Sequence, residues 1–249
     1  MTTDERAMGL FDHIIELRQR LFYAVGALLI ATIVCSIFVD TIVGWLVAPL
    51  QGGTVIVLSP TEAPIVYFKV ALAAGFGVSL PIILYQIYAF AAPGLYKSER
   101  TIVITFIPAA IVFFVLGGAF TLQVLMPLSL PVLMGFLGEV VEPSYSLESY
   151  LSFVTTLVVW MGLIFETPLL VYIVARLGLL TAKQLSGGRR VVWFIAVIFA
   201  AVITPTTDPV TLLLVTGPFI LLYELGLILA RVGARQHVRA SQDRERALE

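Results

Sequence analysis

Residues 150–174 read YLSFVTTLVVWMGLIFETPLLVYIV, and Glu166 is the only formally charged residue among them. A helix rises about 1.5 Å per residue, so roughly 20 apolar residues cross a hydrocarbon layer about 30 Å thick. The stretch is long enough to do so, and that length sets the fold class: membrane-spanning helix. The carboxylate in its middle then needs a reason, because an ionised acid facing lipid costs about 3 kcal/mol even on the lenient insertion scales. Glu166 is therefore expected to face the concave side of the protein, to be partly hydrated, or to carry a proton.

The rest of the chain agrees with a lipid solvent. Of 249 residues, 59% are hydrophobic and 12% charged, and the mean hydropathy is +1.01. Soluble domains carry about 25% charged residues, and a small fold cannot hide so much apolar surface from water. The formal net charge of −1 points to no polyanionic partner, so no nucleic acid is expected. A single cysteine, Cys35, excludes an internal disulfide and reads as a small buried hydrophobe. His13 and His237 lie at opposite ends of the chain and share no ligand spacing, so no metal is expected. No phosphate-binding loop is present, and Gly75 and Gly77 belong to an apolar run. Neither enzymatic activity nor a cofactor is implied.

Six apolar stretches are expected to span, at about 21–39, 66–89, 101–126, 150–174, 191–204 and 210–230. The first is too long for a signal-peptide core and lacks a small-residue cleavage site, so it reads as a retained anchor. All but one of the 15 basic residues fall in the arm before the first span, in alternate connections (Lys97 and Arg100; Arg176, Lys183, Arg189 and Arg190) or after the sixth span. The other connections, 40–65, 127–149 and 205–209, hold none. This asymmetry places both termini in the cytoplasm. Lys69, the exception, is expected to snorkel to the interface from just inside the second span. The fifth span is short, and with the sixth, joined through PTTDP, it is expected to form a short hairpin that thins the bilayer locally. Pro81, Pro108 and Pro168 are expected to bend spans two to four around a concave surface. The two long connections, rich in apolar residues and proline, suggest an ordered outer cap. The chain thus reads as an all-α membrane domain over 1–231, followed by a charged, partly helical cytoplasmic tail over 232–249. No internal repeat is evident, unlike many solute carriers.

Two stretches stand out at the cytoplasmic side. HIIELRQRL, residues 13–21, places Ile14, Leu17 and Leu21 on one helical face and Glu16 and Arg20 at i, i+4 on another. Periodicity alone fits an interfacial helix start with one ion pair. YQIYAFAAPGLYKSER, residues 85–100, is aromatic-rich and turns at Pro93-Gly94, which alone fits an aromatic interface belt.

Together these stretches resemble the TatC family, the multispanning subunit of the twin-arginine protein translocase. The resemblance rests on H-x-x-E-L-R-x-R-L before the first span, APL at 48–50 and F-x-x-P-x-L-Y-x-x-E-R at 90–100. It continues with FETP at 165–168 and TP…DP at 204–209, and covers residues 10 to 231. It implies a cytoplasmic-membrane receptor that binds twin-arginine signal peptides of folded cargo. It also implies single-span TatA- and TatB-type partners, self-association and use of the proton-motive force. Carried over by position, Glu16 and Glu99 would bind the arginines, with Leu17, Arg18 and Phe90 shaping the site. Glu166 would be a polar foothold for a partner or substrate segment, Asp208 would lie near a partner contact, and Pro49 would shape the cap. Leu212 stands where many members carry glutamine, so a polar contact there would fall to Thr211 or Thr216. Glu224 reads as interfacial. A proton-coupled solute transporter titrating at Glu166 is the alternative from another class, and a passive scaffold a third.

Overall fold

The structure, a computed structural model, describes residues 10–50, 55–91, 97–135, 145–204 and 208–246. Side chains are described for 13–50, 55–90, 106–133, 135, 145–204 and 208–235. The apolar runs fold as helices: α1 (Leu10–Ser36), α2 (Val39–Val47), α3 (Glu62–Ala91), α4 (Lys97–Phe120) and α5 (Met126–Gly135). They continue as α6 (Leu147–Phe165), α7 (Thr167–Arg176), α8 (Ala182–Gly187), α9 (Arg189–Ile203) and α10 (Pro209–Arg246). Among the described residues, five helical stretches are long and apolar enough to cross a membrane: His13–Ser36, Glu62–Phe90, Phe106–Leu133, Leu147–Arg176 and Pro209–Arg235.

Several element boundaries differ from the sequence expectation. The amphipathic arm and the first span are one helix, because residues 10–20 hold no glycine or proline and are rich in strong helix formers. The third span does not stop near 126; it passes through a five-residue π turn, Thr121–Leu125, and continues as α5. Pro81 and Pro108 lie inside unbroken helices, whereas at Pro168 the fourth span divides into α6 and α7. Of the expected short pair, only α9 is short: its 15 residues rise about 22 Å. By contrast, α10 runs for 38 residues, because the charged residues after Ala230 are themselves good helix formers. The purely helical expectation also needs one amendment: β1 (Val55–Ile56) and β2 (Tyr145–Ser146) pair in parallel, Val55 opposite Tyr145 and Ile56 opposite Ser146.

That pairing ties the two long connections together, so the cap is ordered where it is described. Ser146 Oγ donates to Glu62 Oε1 at 3.2 Å, and Tyr150 Oη donates to the Leu46 carbonyl at 3.0 Å. Pro49 lies in a single 3₁₀ turn, Ala48–Leu50. With β1 leading into α3 and β2 into α6, these two helices start together at the cap end and run side by side.

The fourth span is the centre of the bundle. Of its most apolar window 39% is buried, against 11% for the first span. Leu151, Val154, Leu157 and Met161 are fully enclosed. Close approach here depends on Gly117 of α4, where a Cβ would stand 2.5 Å from the Met161 carbonyl oxygen. The outward faces are apolar: Phe22, Ile33, Phe68, Val202 and Leu221 are each at least two-thirds exposed. Such a surface suits hydrocarbon rather than water. Between α3, α4 and α6 lies a concave cavity of about 370 Å³ lined by Val70, Gly77, Pro81, Phe114 and Val158.

Candidate functional site

At the end opposite the cap, α1 packs its first turns on the last turns of α3. His13, Glu16 and Arg20, spaced i, i+3 and i+7, supply the facing side chains. The His13 ring stacks on Phe90 with centroids 4.3 Å apart and planes 25° from parallel. Arg20 Nη2 donates to Glu16 Oε1 at 3.1 Å, and its Nη1 donates to Gln86 Oε1 at 3.4 Å. The i, i+4 ion pair read from the sequence is therefore formed, and Gln86 extends it to α3.

Glu16 is left half-used. Its side chain is 14% exposed, and Oε2 is buried with no hydrogen-bond partner among the described residues. A carboxylate accepts through both oxygens, and the planar fork of a guanidinium matches that geometry. One oxygen here already holds a guanidinium; the accepting capacity of the other, a buried atom, is unused among the described residues. Leu17 and Arg18 are exposed. Glu99 lies in the first turn of α4, a few residues beyond Phe90, but its side chain, like the Pro93-Gly94 turn, lies outside the described residues. The structure thus brings together Glu16 and the ring pair of His13 and Phe90. Sequence reading missed His13 and Gln86 as members of this cluster; for His13 the i, i+3, i+7 spacing was the available signal.

Glu166 occupies the break between α6 and α7, with φ −69° and ψ −16°. Its N–H donates to the Leu163 carbonyl at 3.1 Å, and its own carbonyl accepts from Leu170 N at 3.0 Å, so the backbone bridges the division. The division follows from Pro168, which supplies no N–H two residues on. The side chain is 6% exposed, and Oε1 meets no donor among the described residues. It is thus buried within the bundle rather than exposed on its lipid-facing surface. A buried acceptor without a donor is unfavourable by about 1–3 kcal/mol and is available to an incoming N–H or O–H group.

The remaining predicted positions are structural in appearance. Asp208 Oδ1 accepts from Thr211 N at 2.7 Å and so caps α10, with Pro209 at the first helical position. Thr211 and Thr216 are buried, and Leu212 is partly buried against the core. Glu224 is not simply interfacial: its Oε2 accepts from Arg189 Nη2 at 2.8 Å, joining α10 to α9. The turn at 205–207, Pro143 and the side chains of the tail beyond 235 lie outside the described residues. Among the described residues there is no cluster of metal-ligating side chains.

The chain matches the family model for TatC, Sec-independent protein translocase protein, over residues 12–218. It is 37% identical over 224 residues to the Sec-independent protein translocase protein TatC of Synechocystis sp., covering 90% of this chain and 88% of that one. It is 34% identical over 235 residues to the protein of the same name from Aquifex aeolicus, covering 92% and 97% respectively. Among solved structures, it superimposes on the crystal structure of a twin arginine translocase receptor, TatC, with a TM-score of 0.80. That match has 35% identity and covers 89% of this chain and 99% of that one. A second crystal structure of such a receptor, in DDM, gives the same score and identity, with 88% of this chain covered.

Proposed function

The chain belongs to the TatC family of Sec-independent protein translocase proteins, and from that premise we propose that it is the signal-peptide receptor of a twin-arginine translocase. In this reading it crosses the cytoplasmic membrane six times, α9 being the short fifth crossing, with both termini and the Glu16 end of the bundle in the cytoplasm. The clean segregation of Lys and Arg supports that orientation. The domain over 1–231 does the receptor's work, and the charged continuation of α10 is a cytoplasmic tail.

The observation that carries the proposal is the state of Glu16. One oxygen holds the Arg20 guanidinium while the other, buried beside α3, has no partner among the described residues. Glu16 and Glu99 take the paired arginines, Phe90 and Leu17 cover the apolar residues that follow, and Arg18 contributes from the exposed side. Each charge-assisted contact contributes about 1.5–3 kcal/mol before screening. Lysine cannot reproduce the fork geometry, which gives discrimination. Glu166 offers a buried acceptor to a segment entering the concave side. Asp208 fixes the start of α10 near the place where TatA- and TatB-type single-span partners would dock, and Pro49 holds the cap. Transport of folded cargo draws on the proton-motive force, and copies of the chain self-associate in the working complex.

The test is site-specific photocrosslinking from positions 17 and 90 to a peptide bearing two arginines, with a two-lysine peptide as control. Adducts confined to the arginine peptide are expected; equal adducts from both peptides would remove the proposal. The solute-transporter alternative has no support from the kinship, and liposomes holding this protein alone should show no proton-dependent solute uptake.

A further inference from the structure

Lys69 is the cation that the charge pattern leaves inside a span, and its environment is more specific than snorkelling requires. It lies seven residues into α3, yet its Nζ donates sideways to Ser152 Oγ of α6 at 2.6 Å. Ser152 is five residues past the start of α6, so the ammonium is held about 8 Å below the cap end of that helix. Among the described residues it makes no ion pair, although Glu148 stands one turn nearer the cap on the same helix. An ammonium has three N–H donors and Ser152 takes one. A lipid-facing charge with no counter-ion is costly at this depth.

The ammonium opens into a groove of about 360 Å³ between α1, α3 and α6. Lys69 and the hydroxyl-bearing Thr156 line its cap end, and Leu28, Phe76 and Trp160 line the part further from the cap. The groove therefore has a cationic, hydroxyl-bearing head nearest the membrane surface and an apolar, aromatic continuation below it. That polarity, along the membrane normal, is the polarity of a phospholipid.

We propose that this groove binds one anionic phospholipid of the leaflet next to the cap, its phosphate on Lys69 beside Ser152 and Thr156 and an acyl chain against Leu28, Phe76 and Trp160. Charge complementarity selects an anionic headgroup, since the net charge of a zwitterionic one leaves the ammonium uncompensated. The site is independent of the twin-arginine reading and lies toward the opposite end of the bundle from Glu16.

The test uses the purified full chain and native mass spectrometry of retained lipid, with phosphatidylglycerol and phosphatidylcholine of identical acyl chains. Wild type should retain phosphatidylglycerol over phosphatidylcholine by about tenfold or more, because both offer the same phosphate to Lys69 and only the positive charge of choline opposes the ammonium. Lys69→Arg should keep that preference. Lys69→Gln should abolish it, and so should Thr156→Glu, which supplies an internal counter-charge while leaving Lys69 in place. Wild type without the preference, or either of the last two variants retaining it in full, would overturn the proposal. So would displacement of the lipid by a membrane-spanning peptide bearing a carboxylate, with a lipid of either headgroup bound equally in its absence.

Discussion

Glu166 has a buried oxygen that no described donor meets, so at the scale of single residues stability and function should pull apart. Replacing it with leucine removes an unsatisfied acceptor, and Glu166→Leu should raise the unfolding free energy by about 1–3 kcal/mol. Export of a twin-arginine reporter should fall in the same variant, because the acceptor offered to the incoming segment is gone. Thermal unfolding in detergent and an export assay in cells check the two halves, and unimpaired export would contradict the functional half. That an acid sat in the fourth span was legible at once. Its position at a helix division was not, because Pro168 could as well have been absorbed, as Pro81 and Pro108 are. The Glu16–Arg20 pair was legible because it is four residues apart on one helix. Its extension to Gln86 was not, since that contact joins positions 66 apart in the chain and depends on how α1 packs on α3.

Helices pack here through small residues, and two glycines should behave oppositely at the scale of elements. Gly117 has no room for a Cβ against the Met161 carbonyl, whereas Gly26 has nothing within 4 Å. Gly117→Ala should force α4 away from α6 and cost about 1–3 kcal/mol, while Gly26→Ala should be neutral or stabilising by up to about 1 kcal/mol. Denaturation of both variants in one detergent compares them directly; equal effects would mean that the α4–α6 approach is looser than described. A second expectation concerns α9, whose 15 residues fall short of the hydrocarbon layer. Lengthening it by about five leucines, to the roughly 20 residues that cross without thinning, should lower export while insertion persists; full export would show that local thinning plays no part. The sequence located the long helices of the described residues from their apolar runs, and these helices run on beyond the span ends read at 21, 126 and 230. Apolarity marks where lipid begins, whereas helical hydrogen bonding continues through any polar residue that tolerates it.

The helical architecture was readable because the bilayer imposes few solutions: helices satisfy their own backbone. What sequence could not supply is the joining of distant parts, such as the Val55–Tyr145 pairing that starts α3 and α6 together. The proposed function lies at the opposite rim, and its central claim is that Glu16 with Glu99 forms a seat for two guanidinium groups. The most direct test is the affinity of a twin-arginine peptide for the full chain in lipid nanodiscs, wild type against Glu16→Gln, Glu99→Gln and the double variant, with a twin-lysine peptide alongside. Each single change should weaken the arginine peptide by about tenfold or more and the double change further, consistent with charge-assisted contacts of about 1.5–3 kcal/mol. The lysine peptide should bind weakly throughout. An arginine peptide that binds the double variant as tightly as wild type would contradict the account.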